Sequence, residues 1–157
     1  VMLAIGDALA IVLMKLRGFK PQDYAMYHPG GNLGKRLLTE VSELMIRENL
    51  PIVPPNANVK DVLFAISKSR VGIAVVQVEK SILGVITDGD IRRFIQREDD
   101  KAFTAHAGQV MTKNPIAISP DSKLYEAEEL MKKHKIHTLL VVKDEMLVGL
   151  IELYDLT

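Results

Sequence analysis

The sequence predicts an α+β fold made of two copies of one β-α-β-β-α unit, related by a pseudo-two-fold axis and preceded by a separate helical segment. Three observations carry that prediction. Residues match across a constant offset of 65: Pro55 with Pro120, Val59 with Leu124, Val62 with Ala127, Ile66 with Met131, Val71 with Ile136 and Val76 with Val141. Each copy runs from a 3.6-residue apolar period into two short β-branched runs joined by a polar turn. Finally, the junction Gly84-Val85-Ile86-Thr87-Asp88-Gly89-Asp90-Ile91-Arg92-Arg93 recurs as Gly149-Leu150-Ile151-Glu152-Leu153-Tyr154-Asp155-Leu156. With a one-residue shift, Leu44-Met45 also match Val110-Met111, so the two units start near residue 41.

Composition narrows the function classes. The chain has 157 residues, of which 48% are hydrophobic, enough for one compact core or two small ones. Twenty basic residues cancel twenty acidic ones, which leaves no electrostatic footprint for a nucleic-acid backbone or an anionic membrane. Without cysteine there is no disulfide framework and no thiolate zinc site, in keeping with a reducing, cytoplasmic setting. A start at Val1 and a stop just past a helix-start signal at Asp155 give the expectation that both ends continue into something longer.

Residues 1–16 are apolar at thirteen positions, broken only by Gly6, Asp7 and Lys15, with Arg17-Gly18 as a stop signal, and so predict one helix. The run is too short, and its Asp7 too central, for a membrane span. A helix apolar nearly all round needs a partner surface, so self-association is expected, as a homo-oligomer of two or four chains. Residues 18–40 hold Tyr24, Tyr27 and the loop His28-Pro29-Gly30-Gly31-Asn32-Leu33-Gly34, followed by a short polar helix. Spacing alone favours an interdomain linker. The competing reading is a substrate loop carrying one histidine suited to proton transfer near neutral pH.

In the first repeat Ile52-Val53 supply a short strand. Asn58 caps a helix whose Val59, Val62, Leu63 and Ile66 share a face, with Asp61 at the third helical position. Residues 71–78 and 82–87 are strands joined at Glu79-Lys80-Ser81, and a helix from Asp88 runs to about Gln96 before the solvated connector Arg97-Glu98-Asp99-Asp100-Lys101. The second repeat repeats the plan: a strand over 116–118, a helix over 122–133, strands over 138–142 and 146–151, and a helix starting at Asp155. His134 and His137 lack an acidic or thiolate companion at ligand spacing, so no metal site is predicted, nor any required cofactor. No paired carboxylates, phosphate-loop glycines or nucleophile–base signature is present.

The junction at 84–93 joins a strand to a helix N-terminus, where free N–H groups and the dipole favour anions. Thr87 is placed to donate to a phosphate, Asp90 to accept from sugar hydroxyls, and Arg92 or Arg93 to add charge, while Gly89 permits close approach. For one such string alone, a capped turn is the simpler explanation. Its recurrence shifts the balance to a ligand site.

The duplicated junctions identify the family: residues 41–157 resemble a tandem pair of cystathionine-β-synthase-type (CBS) domains, a regulatory module that commonly binds adenine or other nucleotides between its repeats. That resemblance implies ribose on Asp90 and phosphate on Thr87. It also implies a weaker second site, where Asp155 keeps the ribose position but Glu152 sets a carboxylate where phosphate would sit. The stretches Gly6-Asp7-Ala8-Leu9-Ala10, Arg17-Gly18-Phe19, His28-Pro29-Gly30-Gly31 and Gly34-Lys35-Arg36-Leu37-Leu38 are similar to the C-terminal edge of the sugar isomerase (SIS) domain in bacterial arabinose 5-phosphate isomerases. The organisation implied is 1–40 as the end of a SIS domain with its linker, 41–100 as CBS repeat one and 101–157 as repeat two. The implied parent interconverts ribulose 5-phosphate and arabinose 5-phosphate for the synthesis of Kdo, a lipopolysaccharide sugar, with His28 at its active site. This chain alone is expected to be inactive. The expected ligand of the pair is an adenine nucleotide or cytidylyl-Kdo (CMP-Kdo); a purely structural, oligomerising pair is the alternative.

Overall fold

A computed structural model describes residues 2–18, 36–99 and 104–152 of the chain. Met2–Leu16 form α1, which stops where Gly18 takes a φ of +61° and its N–H reaches the Lys15 carbonyl at 3.1 Å. Every side chain of α1 from Ala4 onward is exposed, including Ile5, Leu9 and Leu16. The described residues therefore do not supply the partner surface that so apolar a helix needs.

The first repeat follows the predicted order. After the short α2 (Val41–Leu44) and β1 (Ile52–Val53), the Asn58 side chain accepts from Asp61 N at 2.9 Å and starts α3 (Val59–Ser69). Then come β2 (Ile73–Val78), β3 (Ser81–Thr87) and α4 (Asp88–Glu98). The second repeat contributes α5 (Ala107–Val110), β4 (Thr112–Lys113), β5 (Ala117–Ile118), α6 (Leu124–His134), β6 (Thr138–Lys143) and β7 (Met146–Glu152). Its last helix, expected from Asp155, lies outside the described residues. The sheets are β1-β2-β3-β4 and β5-β6-β7; in each, the first pair is parallel and the hairpin antiparallel.

Why Ile73–Val76 of β2 and Leu139–Val142 of β6 read as apolar runs is clear from their two faces. Ala74 and Val76 pack with Val59, Val62 and Ile66 of α3, whereas Ile73 and Val75 point the other way, to Leu140 and Leu150 of the second repeat. Leu139 and Val141 pack likewise with Leu124, Ala127 and Met131 of α6. A strand covered on both faces has no polar side to alternate with. The layers are thus helix, sheet, sheet, helix, with Val71, Ile73, Val75, Leu140 and Leu150 as the joint between repeats.

The segment in front of each repeat is built into the other one. Val41 N donates to Ser122 O at 2.8 Å, and Ile46 and Leu150 exchange both backbone bonds at 2.7 and 2.9 Å. Reciprocally, Ala107 N donates to Ala57 O at 2.8 Å, and β4 pairs with β3 at Gly84 and Val85. The two repeat glycines sit at these crossings. A Cβ on Gly84 would come 2.5 Å from Thr112 O and 3.1 Å from Met111 Sδ, and one on Gly149 would come 2.8 Å from Ile46 O and 2.9 Å from Met45 Sδ. Gly84 and Gly149 are therefore required by strand crossing, each beside the shift in register that both hairpins share.

Candidate functional site

Thr87 ends β3 and caps α4. Its φ of −101° and ψ of 164° are extended, and its Oγ1 accepts from Asp90 N at 3.1 Å. Asp90 answers from the third helical position: Oδ2 accepts from Thr87 N at 2.8 Å and from the Thr87 hydroxyl at 2.7 Å, while Oδ1 accepts from Arg93 Nη2 at 2.7 Å. This is a capping box with a guanidinium added. Burial pushes the Asp90 carboxyl up, but the bonds from Thr87 and the nearby Arg93 charge outweigh it and hold the pKa below the ordinary 3.8. A lowered folded-state pKa contributes stability that is present above the ordinary value and lost as pH falls through the lowered one.

The Cβ that Gly89 lacks would lie 3.2 Å from Arg93 Nη1 and 3.5 Å from Thr87 Oγ1. The small residue leaves room for Arg93 to fold back over the helix N-terminus.

This corner opens on a cavity of about 730 Å³ lined by both repeats. Thr87, Gly89, Asp90 and Arg93 line it from the first, and Lys135, His137 and Glu152 from the second. Glu152 stands in register with Thr87, since the offset of 65 holds. Arg92 is exposed on α4 and is not among the lining residues, because about 100° of helix rotation separates neighbouring side chains. Asp155 and His28 both lie outside the described residues.

Two of the cations that line the cavity are absent from the sequence reading, Arg70 and Lys135. They end α3 and α6 in the left-handed conformation, with φ of 61° and 54°, at the position where glycine is the usual choice. The signal was there to find: a cation after the last helical turn in both repeats, at the same offset of 65. A left-handed residue other than glycine costs about 1–2 kcal/mol. Arg70→Gly removes that cost against about 0.5–1 kcal/mol of glycine entropy. We therefore expect a small gain in stability in a urea titration, on the order of 0.5 kcal/mol, together with weaker binding of any anion in the cleft.

Residues 41–97 and 107–157 match the family model described as "CBS domain". Among curated proteins the chain is similar to "Arabinose 5-phosphate isomerase KpsF" of Escherichia coli, 44% identical over 155 residues, which are 98% of this chain and 47% of that protein. It is also similar to "Arabinose 5-phosphate isomerase KdsD" of Francisella tularensis, 38% identical over 98% of this chain and 47% of that one. The chain thus spans about half the length of the curated relatives it matches. Of solved structures, a CBS domain protein from Pyrobaculum aerophilum complexed with AMP matches with a TM-score of 0.67 and 28% identity, over 74% of this chain and 89% of that one. CBSX2 in complex with AMP matches at 0.63 and 26%, over 74% and 92%. No described helix is long and apolar enough to cross a membrane.

Proposed function

Because the chain belongs to the CBS-domain family, we propose that its inter-repeat cleft is a regulatory nucleotide site. The observation that carries this reading is the shared cavity, where the Thr87–Asp90–Arg93 corner meets Arg70 and Lys135, one left-handed cation from each repeat. A ribose has a carboxylate to bond, and a phosphate has three cations within one cavity. Of the two ligands suggested by the sequence, an adenine nucleotide is supported by the AMP complexes of similar proteins. Cytidylyl-Kdo draws no support from them and enters the test as the competitor. Calorimetric titration of the chain with AMP, ATP and cytidylyl-Kdo is the experiment, and saturable binding of AMP at one site per chain is the expected result.

The second reading is a structural pair without a ligand. It is favoured by one observation: Thr87 and Asp90 already satisfy each other as a cap. A titration flat for all three compounds would establish it.

We further propose that residues 1–40 close a sugar isomerase domain, and that the longer protein interconverts ribulose 5-phosphate and arabinose 5-phosphate under control of the pair. The similarity of the chain to isomerases about twice its length supports this. In that protein His28→Ala lowers turnover and leaves AMP affinity unchanged; wild-type turnover would return His28 to a linker. The exposed apolar surface of α1 is what self-association of the chains would cover.

A further inference from the structure

Glu128 is the buried charged side chain among the described residues, 5% exposed. It sits on α6 at the position where the first repeat has Leu63, which packs on that repeat's apolar core. A buried carboxylate persists only if it is paired. Glu128 has two cations: Lys132, one turn along the same helix at 3.2 Å, and Arg36, which comes from in front of both repeats.

Around that pair, residues 36–39 are fastened to the same helix. Leu37 is buried, the Lys123 ammonium donates to Leu38 O at 2.9 Å, and Leu124 N donates to Thr39 O at 3.1 Å. The other end of α6 reaches the cleft, because its cap Lys135 and the following Ile136 and His137 line the cavity. Seven residues from Glu128 to Lys135 are about 10 Å of helix. One rigid element therefore joins the cleft to the point where the preceding segment docks. The first repeat, with Leu63, has no carboxylate to receive a cation there.

We infer that Glu128 is a coupling residue: occupation of the cleft repositions α6, and the Glu128–Arg36 pair passes that change to residues 36–39. The inference rests on the nucleotide reading above. It requires the docked segment to respond to a ligand it does not touch, which is a coupling free energy between two places.

Hydrogen exchange of the chain with and without saturating AMP tests it, read at a peptide spanning residues 36–42. In the wild type, AMP slows exchange there about fivefold or more, the lower end of ordinary allosteric coupling. In Glu128→Gln the AMP response of that peptide is lost while calorimetric AMP affinity is retained. Glu128→Leu, which copies the first repeat, gives the same result and serves if the glutamine variant fails to fold. AMP binding with unchanged exchange in the wild type overturns the inference alone, as does an equal AMP response in wild type and both variants. If AMP does not bind, the exchange is read with whichever of ATP and cytidylyl-Kdo does, and a titration flat for all three overturns the nucleotide reading and this inference with it.

Discussion

Leu150→Ala lowers the stability of the chain by about 2–5 kcal/mol, and both repeats lose it together. Leu150 is fully buried and faces the other sheet, in the cluster with Val71, Ile73, Val75 and Leu140. Its backbone is tied to Ile46 by two hydrogen bonds, so the strand cannot slide inward to fill the space. The cavity left by the truncation therefore stays open at the joint between the repeats. Such a loss is a large share of the roughly 5–15 kcal/mol typical of a domain. Urea unfolding checks it: the midpoint should fall in a single transition at constant slope. Met146→Ala, on the exposed first residue of β7, is the control and should stay within about 0.5 kcal/mol of wild type. A loss under about 1 kcal/mol for Leu150→Ala would mean that the repeats are stabilised separately.

What the sequence made legible was whatever repeats locally. The helices at Val59–Ser69 and Leu124–His134 and the four long strands have enough residues to show a period, and the offset of 65 tied them into one plan. The crossings were not legible. Thr112–Lys113 and Ile46 are too short for any period, and their pairing with β3 and β7 is decided by distant contacts. The match of Leu44-Met45 with Val110-Met111 showed that the two segments are alike without showing which repeat receives each. At the site, Thr87 and Asp90 could be read because a capping pair and a ligand motif use the same spacing. Arg70 and Lys135 were overlooked because a cation after a helix reads as a dipole partner, and only the backbone reveals that it holds a left-handed position lining a cleft.

Asp90→Ala weakens AMP binding about tenfold or more. A carboxylate offers about four acceptor sites, and in the chain three donors occupy them: Thr87 N, the Thr87 hydroxyl and Arg93. One site remains, so a ribose presenting two hydroxyls must displace one of these donors, and we expect Arg93 to leave Oδ1. That exchange trades one charge-assisted bond for another, and Arg93, whose side chain is 71% exposed against 14% for Asp90, is the partner that water can take up. The expected new partner of the freed guanidinium is the phosphate, so that the bond lost at one end of the ligand is regained at the other. Charge-assisted bonds of this kind contribute on the order of 1.5–3 kcal/mol, and each 1.4 kcal/mol is a decade in affinity. Binding should also weaken as acid protonates Asp90, but only below its ordinary range, since its pKa is lowered. Asp155→Ala should cost much less, because Glu152 lines the cleft at the place of Thr87 and its carboxylate offers a phosphate no hydroxyl donor there. Side-by-side titration of the two alanine variants with AMP measures the asymmetry. Equal losses would mean that Glu152 does not exclude the phosphate, and no loss in either variant would leave the capping box as the whole purpose of Thr87 and Asp90.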